Sequence, residues 1–417
     1  MKKNTVLFIG FLVICFSLKA QSDFSSPYSL YGLGQENSNY FGGLSALGNT
    51  GIAYTSPNSI NKSNPASLSS IATNSFLYEI GFNSTFSNKK SNNLSQQNFD
   101  FSFSHLAMAF KIKDYWKTSF GIVPYSKVSY EIDVEQPIEG STGSFITNIT
   151  GSGGINEVFW GNGLNLTKNL SLGVEFQALF GSISKEQQIF FGSKSVALTE
   201  SKNYFGVGLN AGFQYTINNL LKTKTTLGGT INLPTSLTGN EDTEGYKTLS
   251  ESETVLLIEE LDQSVSNFDL PLKMGFGISS KINKNLLVNI DYSKSYWTNT
   301  YLSNSTYTFK NQSVYGLGIE FQSSENLNSF KENIKYRAGI NYNSGYLNLS
   351  KQDIDSYSFS VGLGIPISKG ISPSVININY SYGKEGTLNK QLIQDNFHKL
   401  SVNLSLVGNW FRKQKIF

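Results

Sequence analysis

Residues 170–180 read LSLGVEFQALF, and residues 205–215 read FGVGLNAGFQY. In the first, Leu170, Leu172, Val174, Phe176, Ala178 and Phe180 trade places with small or polar residues. In the second, Phe205, Val207, Leu209, Ala211, Phe213 and Tyr215 do the same. A period of two sets one row of side chains on each face of a β-strand. Working outward, the alternation recurs in about fourteen stretches: 75–86, 98–112, 116–133, 155–167, 170–184, 203–217, 222–238, 266–281, 284–298, 311–323, 333–347, 356–368, 373–387 and 397–408.

Composition narrows the setting of these strands. Of the 417 residues, 39% are apolar, too few for a multi-pass helical membrane protein. No stretch past the N-terminus approaches the roughly 20 apolar residues of a membrane-spanning helix. Glycine (38) and aromatics (22 Tyr, 30 Phe, 4 Trp) are abundant, which suits long strands around a crowded interior. The net charge of +3 is spread along the chain and forms no basic patch, so no nucleic-acid partner is expected. Arg337 and Arg412 are the only arginines among the 33 basic residues, which leaves little bidentate phosphate recognition.

The first 20 residues have the form of a secretory signal: Lys2 and Lys3, an apolar run from Val6 to Ile14, and Leu18-Lys19-Ala20 before Gln21. The one cysteine, Cys15, lies in that run, and bulky Ile14 makes it a poor lipidation site. The exported chain is therefore expected to carry no thiol and no disulfide. Exported, strand-rich and helix-free, it meets the condition for a membrane barrel whose strands satisfy one another's backbone groups.

Connections and charges orient such a barrel. Short polar turns follow the second, fourth, sixth, eighth and twelfth strands, as in Lys113-Asp114-Tyr115, Thr167-Lys168-Asn169, Asn218-Asn219, Ile282-Asn283 and Lys369-Gly370. Longer connections, read as loops 134–154, 185–202 and 239–265, follow odd strands, and 324–332 is the exception on the short side. Short turns on one rim and long loops on the other mark an outer-membrane barrel. The charges inside the strand cores, among them Glu79, Asp100, Glu175, Asp291, Lys335 and Arg337, fall on the polar parity, so none faces lipid. The expectation is an all-β fold: a 14-stranded antiparallel transmembrane β-barrel over 75–417, preceded by a signal peptide (1–20) and a loop-rich segment (21–74). It places the chain in a bacterial outer membrane with both mature termini on the periplasmic side. The last strand (Leu400, Val402, Leu404, Leu406) is followed by Trp410-Phe411 at the expected aromatic girdle, and the chain ends in Phe417.

Catalytic groups are scarce. His105 and His398 have no metal-ligand partner at suitable spacing, so no metal is expected. Ser104 and His105 are neighbours in a strand, whose successive side chains point to opposite faces, so they are not expected to pair. Gly151-Ser152-Gly153-Gly154 lacks the helix and lysine of a phosphate cradle. The chain is read as a non-enzyme without a cofactor. Two faults in the alternation draw more attention. The apolar parity flips between Phe103 and Leu106, which places a bulge at Ser104-His105. Gly121 and Pro124 interrupt the third strand ahead of Tyr125 and Ser126. Proline cannot donate to a ladder, so this is either a rim bulge or an opening in the wall.

Gly48-Asn49-Thr50-Gly51-Ile52-Ala53 followed by Asn64-Pro65-Ala66-Ser67-Leu68 resembles the plug of FadL/TodX-type outer-membrane transporters. Ser26 to Gly34, the Gly121–Tyr130 stretch and Trp410-Phe411 resemble the Bacteroidetes branch of that family, including its PorV-like relatives. The resemblance implies a hatch built on Gly48, Gly51, Asn64, Pro65 and Ala66. It also implies a kinked third strand that makes a side exit, with Gly121, Pro124, Tyr125, Ser126 and His105 around it, and passage of hydrophobic molecules into the outer-membrane lipid. For a fatty-acid-like ligand, the inward-facing Lys335 and Arg337 could hold the carboxylate; otherwise they balance lumen acids. The PorV-like branch implies the alternative of a scaffold that binds protein partners in an outer-membrane complex.

Overall fold

The computed structural model describes residues 26–37, 40–72, 75–92, 94–140, 142–192, 194–220, 223–250, 253–300, 307–323, 333–368 and 373–409. The expected signal peptide with Cys15, the connection 324–332, the turn residues Lys369-Gly370 and the ending Trp410-Phe411 to Phe417 lie outside them.

Fourteen antiparallel strands form one closed wall among the described residues. They are β1 (Ser75–Lys90), β2 (Ser95–Lys113), β3 in two pieces (Trp116–Pro124 and Ser126–Pro137), β4 (Ser144–Asn165) and β5 (Leu170–Phe191). Next come β6 (Lys194–Leu220), β7 in two pieces (Thr223–Asn232 and Thr235–Ser250) and β8 in two pieces (Glu253–Leu270 and Lys273–Lys281). The wall continues through β9 (Leu286–Ser295), β10 (Gln312–Gln322), β11 (Lys335–Asn343), β12 (Ser356–Pro366), β13 (Val375–Gly386) and β14 (Gln394–Asn409). Closure is made by β1 against β14, from Ser75↔Asn409 to Lys90↔Gln394.

Alternation sets the two faces. Phe176, Phe205, Val207, Phe213, Phe276 and Ile290 stand outward and exposed. Glu79, Glu157, Glu175, Asp291 and Asn403 point inward and are buried. An outward apolar row with an inward polar row is the arrangement that lipid outside and a polar lumen require.

The segments expected as loops 134–154, 185–202 and 239–265 are instead largely strand. β4 begins at Ser144, β5 and β6 run unbroken to a hairpin at Gly192, and β7 and β8 pair as far as Ser250↔Glu253. Hydrogen bonding carries on past the membrane, whereas the apolar row does not, because both faces there meet water. β6 has 27 residues. At about 3.3 Å per residue that is roughly 90 Å of strand, far more than an apolar band about 25 Å tall can hold. The wall therefore has a raised lip on the long-hairpin rim.

Residues 26–72 lie among the inward-facing side chains. They carry three short 3₁₀ turns (Pro27–Leu30, Gly42–Leu47, Pro65–Ser70) and a two-residue strand, Gln35–Glu36. Tyr28 packs with Leu347, Leu349 and Ile354 at the long-hairpin rim, and its hydroxyl donates to the Ile393 carbonyl. Ser69 reaches Ser171 and Asn165 reaches the Ser69 carbonyl near the short-turn rim. The segment thus runs down the lumen from the long-hairpin end before β1 begins.

The two faces differ in their tolerance to charge. Val207 is 64% exposed on the outward row. Val207→Lys is expected to cost about 2–4 kcal/mol where the row meets the bilayer midplane. Urea titration of folded barrels in lipid vesicles, followed by gel mobility without boiling, measures this. An unchanged midpoint would place the row outside the lipid.

Candidate functional site

The wall changes partners in the middle of β3. The first piece pairs with β2 from Leu106↔Ile122 to Lys113↔Trp116, and with β4 up to Pro124↔Asn156. The second piece keeps β4 (Val128↔Gly153 to Pro137↔Ser144) but makes no ladder with β2 among the described residues. Residues 95–105 of β2 pair with β1 alone. Proline at 124 has no N–H to give, so the ladder toward β2 stops there.

What replaces β2 comes from inside the lumen. Gln35 and Glu36 pair with Lys127 and Ser126, and the Asn37 N–H donates to the Tyr125 carbonyl at 2.9 Å. Tyr125 N–H donates to the Ile155 carbonyl at 2.8 Å, and Ser126 Oγ donates to the Leu33 carbonyl at 2.7 Å. The Tyr125 hydroxyl donates to Glu36 at 3.3 Å. Burial pushes the Glu36 carboxyl above its ordinary range, against the pull of Lys273 and the Tyr125 hydroxyl. On β4, Gly153 and Gly154 have φ of +108° and +143°, and a Cβ there would meet the Ser182 and Ser126 carbonyl oxygens at 2.1 and 2.3 Å. The run Gly151-Ser152-Gly153-Gly154 is thus the part of β4 that lets β3 bend inward. Among the described residues, Lys127 and Asp100 bridge the gap as an ion pair, at 2.6 Å.

His105 sits at the lower end of that gap. It pairs with Gly81 while Phe103 pairs with Phe82, which leaves Ser104 as the extra residue of the bulge that the parity flip predicts. Its ring stacks on Phe41 (centroids 3.9 Å apart), and Asn403 Nδ2 lies 2.9 Å from Nε2. The expectation that Ser104 and His105 stay apart is corrected: Ser104 Oγ is 3.0 Å from His105 Nδ1. Strict alternation fails at a bulge, so two neighbours come to one side. Gly121 faces Phe159, and a Cβ at 121 would stand 2.5 Å from that ring, so no side chain fits there. A cavity of about 150 Å³ joins inward residues (Tyr40, Asn49, His105) to outward ones (Phe82, Phe103, Val402), with Pro124 on its wall.

The plug-like phrases hold the N-terminal segment to the wall. Asn64 caps the 3₁₀ turn that Pro65 opens: its Oδ1 accepts from Ala66 N–H at 3.0 Å. Its Nδ2 donates to the Ile52 and Phe213 carbonyls at 2.7 and 3.1 Å. Gly51 and Ile52 N–H groups donate to Asp291 at 2.6 and 2.9 Å. Gly48 is left-handed (φ +63°) and lies against the Ile340 and Leu317 carbonyls, where a Cβ would stand 2.3 and 2.6 Å away.

Three further ties were not legible in the sequence. Lys62 Nζ sits 2.7 Å from Glu157 and 3.4 Å from Glu175, all three buried. Burial alone would lower the Lys62 ammonium, and the two carboxylates outweigh it, so it stays charged above the usual lysine range. Glu79 accepts from Ile60 N–H and Ser405 Oγ. The Tyr54 hydroxyl donates to Glu320 at 3.3 Å. Inward acids on separate strands were the available signal, but their partners lie far away in sequence.

The same Glu320 takes up both cations singled out for a ligand headgroup. Arg337 Nε lies 2.7 Å and Lys335 Nζ 3.1 Å from its oxygens, and Arg337 also donates to Asn377 at 2.8 Å. Lys335 additionally lines a polar cavity of about 810 Å³ at the short-turn rim, beside Lys224, Lys281 and Lys284.

A family model described as BamG matches residues 1–417. No curated protein matches the chain. Among solved structures, the chain resembles the toluene transporter TodX of P. putida (16% identity, 90% of this chain and 100% of that one, TM-score 0.62). It also resembles the CymD monoaromatic hydrocarbon channel (15%, 92% and 100%, 0.58) and a Pseudomonas aeruginosa FadL homologue (13%, 91% and 99%, 0.59). At these identities the likeness establishes a FadL-type barrel fold.

Removing the cation from the Lys62 cluster leaves two buried carboxylates facing each other. Lys62→Met is expected to destabilise the folded barrel by about 3–5 kcal/mol, the usual cost of an orphaned buried charge. It should also expose residues 40–71 to protease in detergent. Limited proteolysis with mass spectrometry reads this; full protection would show that the other ties hold the segment unaided.

Proposed function

This chain belongs to the BamG family, and on that premise we propose that it is an outer-membrane channel for hydrophobic small molecules, with residues 26–72 as a fixed hatch and a side exit at the kink of β3. The observation that carries the reading is that no ladder joins residues 95–105 of β2 to the second piece of β3 among the described residues, with the cavity of about 150 Å³ beside Pro124 that touches both lumen-facing and outward-facing residues. The toluene transporter and the monoaromatic hydrocarbon channel that share the fold supply the substrate class.

The route follows from what is tied down. Asp291, Glu79 and the Lys62 cluster hold residues 51–62, so a solute passes beside this part of the hatch. Leu33 to Asn37, Tyr40 and Phe41 line the gap itself, and the side-chain contacts there are scattered, among them Ser126 on Leu33, Tyr125 on Glu36, and the ring of Phe41 on His105. A hydrophobic molecule entering from the long-hairpin rim would displace Phe41 and leave between Phe103 and Pro124 into lipid. Apolar solutes gain roughly 25 cal/mol per Å² on leaving water, which drives the exit without a coupled energy source. The short-turn cavity lies on the other side of the hatch and takes no part. A carboxylate headgroup on the ligand would meet Lys335 only past the hatch; the cation on the wall of the smaller cavity is Lys399.

The second reading, a scaffold for a protein partner, rests on the raised lip of the long-hairpin rim, which exceeds what a small-molecule route needs.

Bridging the gap tests the channel. Asp100→Cys with Lys127→Cys, joined by a short bifunctional thiol reagent, is expected to cut uptake of labelled toluene or xylene by whole cells to the level of cells without the protein. Reducing conditions with a cleavable reagent should restore it. Undiminished uptake through the bridged barrel would remove the side exit.

A further inference from the structure

The barrel has a second place where a strand loses its neighbour. The first piece of β8, Glu253–Leu270, pairs with β7 alone, whereas the second piece, Lys273–Lys281, pairs with both β7 and β9. β9 stops at Ser295, opposite Lys273. Along residues 253–270 one edge of β8 therefore carries no ladder among the described residues. The two open edges bound the same raised sheet, β3 to β8. The edge at β3 is partly covered by Gln35–Glu36; the edge at β8 receives no such strand from the described chain.

The composition of this second edge is unusual for one left in water. Val255, Leu256, Leu257, Ile258 and Leu261 are 42–53% exposed. Val255 to Ile258 are consecutive in the strand, so apolar side chains stand on both faces of the hairpin. Proteins protect exposed edges with lysine, proline or a covering element, and residues 253–265 contain neither lysine nor proline. The charges within residues 253–265 are all acidic. Glu241, Asp242, Glu244, Glu253, Glu259, Glu260 and Asp262 stand in the two strands of the hairpin against the single base Lys247.

We propose that the edge of β8 at residues 254–261 is a docking site for a short, extended, basic segment of another protein at the long-hairpin rim. Backbone groups on the open edge would pair with the segment, as in strand addition, while Val255 to Ile258 take its apolar side chains and the surrounding acids its lysines. A second copy of the same hairpin is disfavoured by the like charges it would bring opposite Glu253, Glu259 and Glu260. A bare lipid surface offers no donors or acceptors in strand register. The site is independent of the side exit, and its placement outside the cell rests on the channel reading of the two rims.

The probe is a nine-residue fluorescent peptide alternating lysine and valine, titrated against the full-length barrel in mild detergent and followed by anisotropy. It should bind saturably. The same peptide with glutamate for lysine, or with alternate backbone nitrogens methylated, should bind at least tenfold more weakly. Leu257→Lys with Ile258→Lys should weaken the unmodified peptide by a similar factor while leaving toluene uptake unchanged, so that failure here is separable from failure of the channel. Gel mobility without boiling confirms that this variant is folded. Equal binding of the methylated peptide would reduce the site to charge alone and overturn the proposal. So would equal binding to the double variant, or concentration-dependent dimers of the barrel in the absence of peptide.

Discussion

A chain that crosses lipid has to give each backbone N–H and C=O a partner, and this constraint organises the whole molecule. Thirteen of the junctions in the ring meet it by ordinary antiparallel pairing along the membrane band. At Pro124 the solution changes. The wall bends inward, and a strand of two residues from inside the lumen, Gln35–Glu36, supplies part of the missing ladder. The N-terminal segment is thus both contents and wall. Its loss would empty the lumen and also expose the edge of β3.

The polar lumen meets the same constraint with charges. Asp291 neutralises two backbone N–H groups at the turn after Gly48, much as a cap does at a helix start. Lys62 answers Glu157 and Glu175, and Arg337 with Lys335 answers Glu320. Buried ion pairs add little net stability over apolar packing, but they fix geometry and make misplacement costly. The acids that tie residues 51–62 stand on β1 (Glu79), on β4 and β5 (Glu157 and Glu175) and on β9 (Asp291), so the segment is held in one rotational setting. That is what keeps Phe41 against His105 and Gln35–Glu36 against Ser126, where the wall needs them.

Strand number, strand order and the inside–outside parity were legible because lipid and a polar lumen impose opposite demands on alternate residues. The faults at His105 and Pro124 were legible for the same reason: each breaks the period of two. The raised lip was not, since strands above the membrane have water on both faces and lose the pattern while keeping their hydrogen bonds, as in 185–202. The Asn64-Pro65-Ala66 phrase was legible as a plug-like motif, and its local structure is a 3₁₀ turn capped by Asn64. The partners of Lys62 and Asp291 lie 95 or more residues away, and pairing across such distances leaves no mark in a single sequence. Nor did Ser104 and His105 follow the alternation rule, because the rule lapses at the bulge it had itself revealed.

The inward glycines argue that the N-terminal segment stays in the lumen. A Cβ on Gly339 would stand 2.0 Å from the Gly48 nitrogen, and one on Gly173 would stand 2.2 Å from the Ala66 nitrogen. Backbone here lies directly on backbone, with no side chain between segment and wall. Contact that close leaves no room for water, so withdrawal of residues 48–66 would strip their polar groups of partners one by one before solvent could replace them. The unfavourable intermediate makes concerted exit slow. By contrast, the cavity at the gap adjoins Asn37, Tyr40 and Phe41, and the Phe41 ring is held there by its stack on His105. For the channel proposed above, passage beside the N-terminal segment would move one aromatic ring and a short stretch of chain, while passage through it would dismantle the lumen.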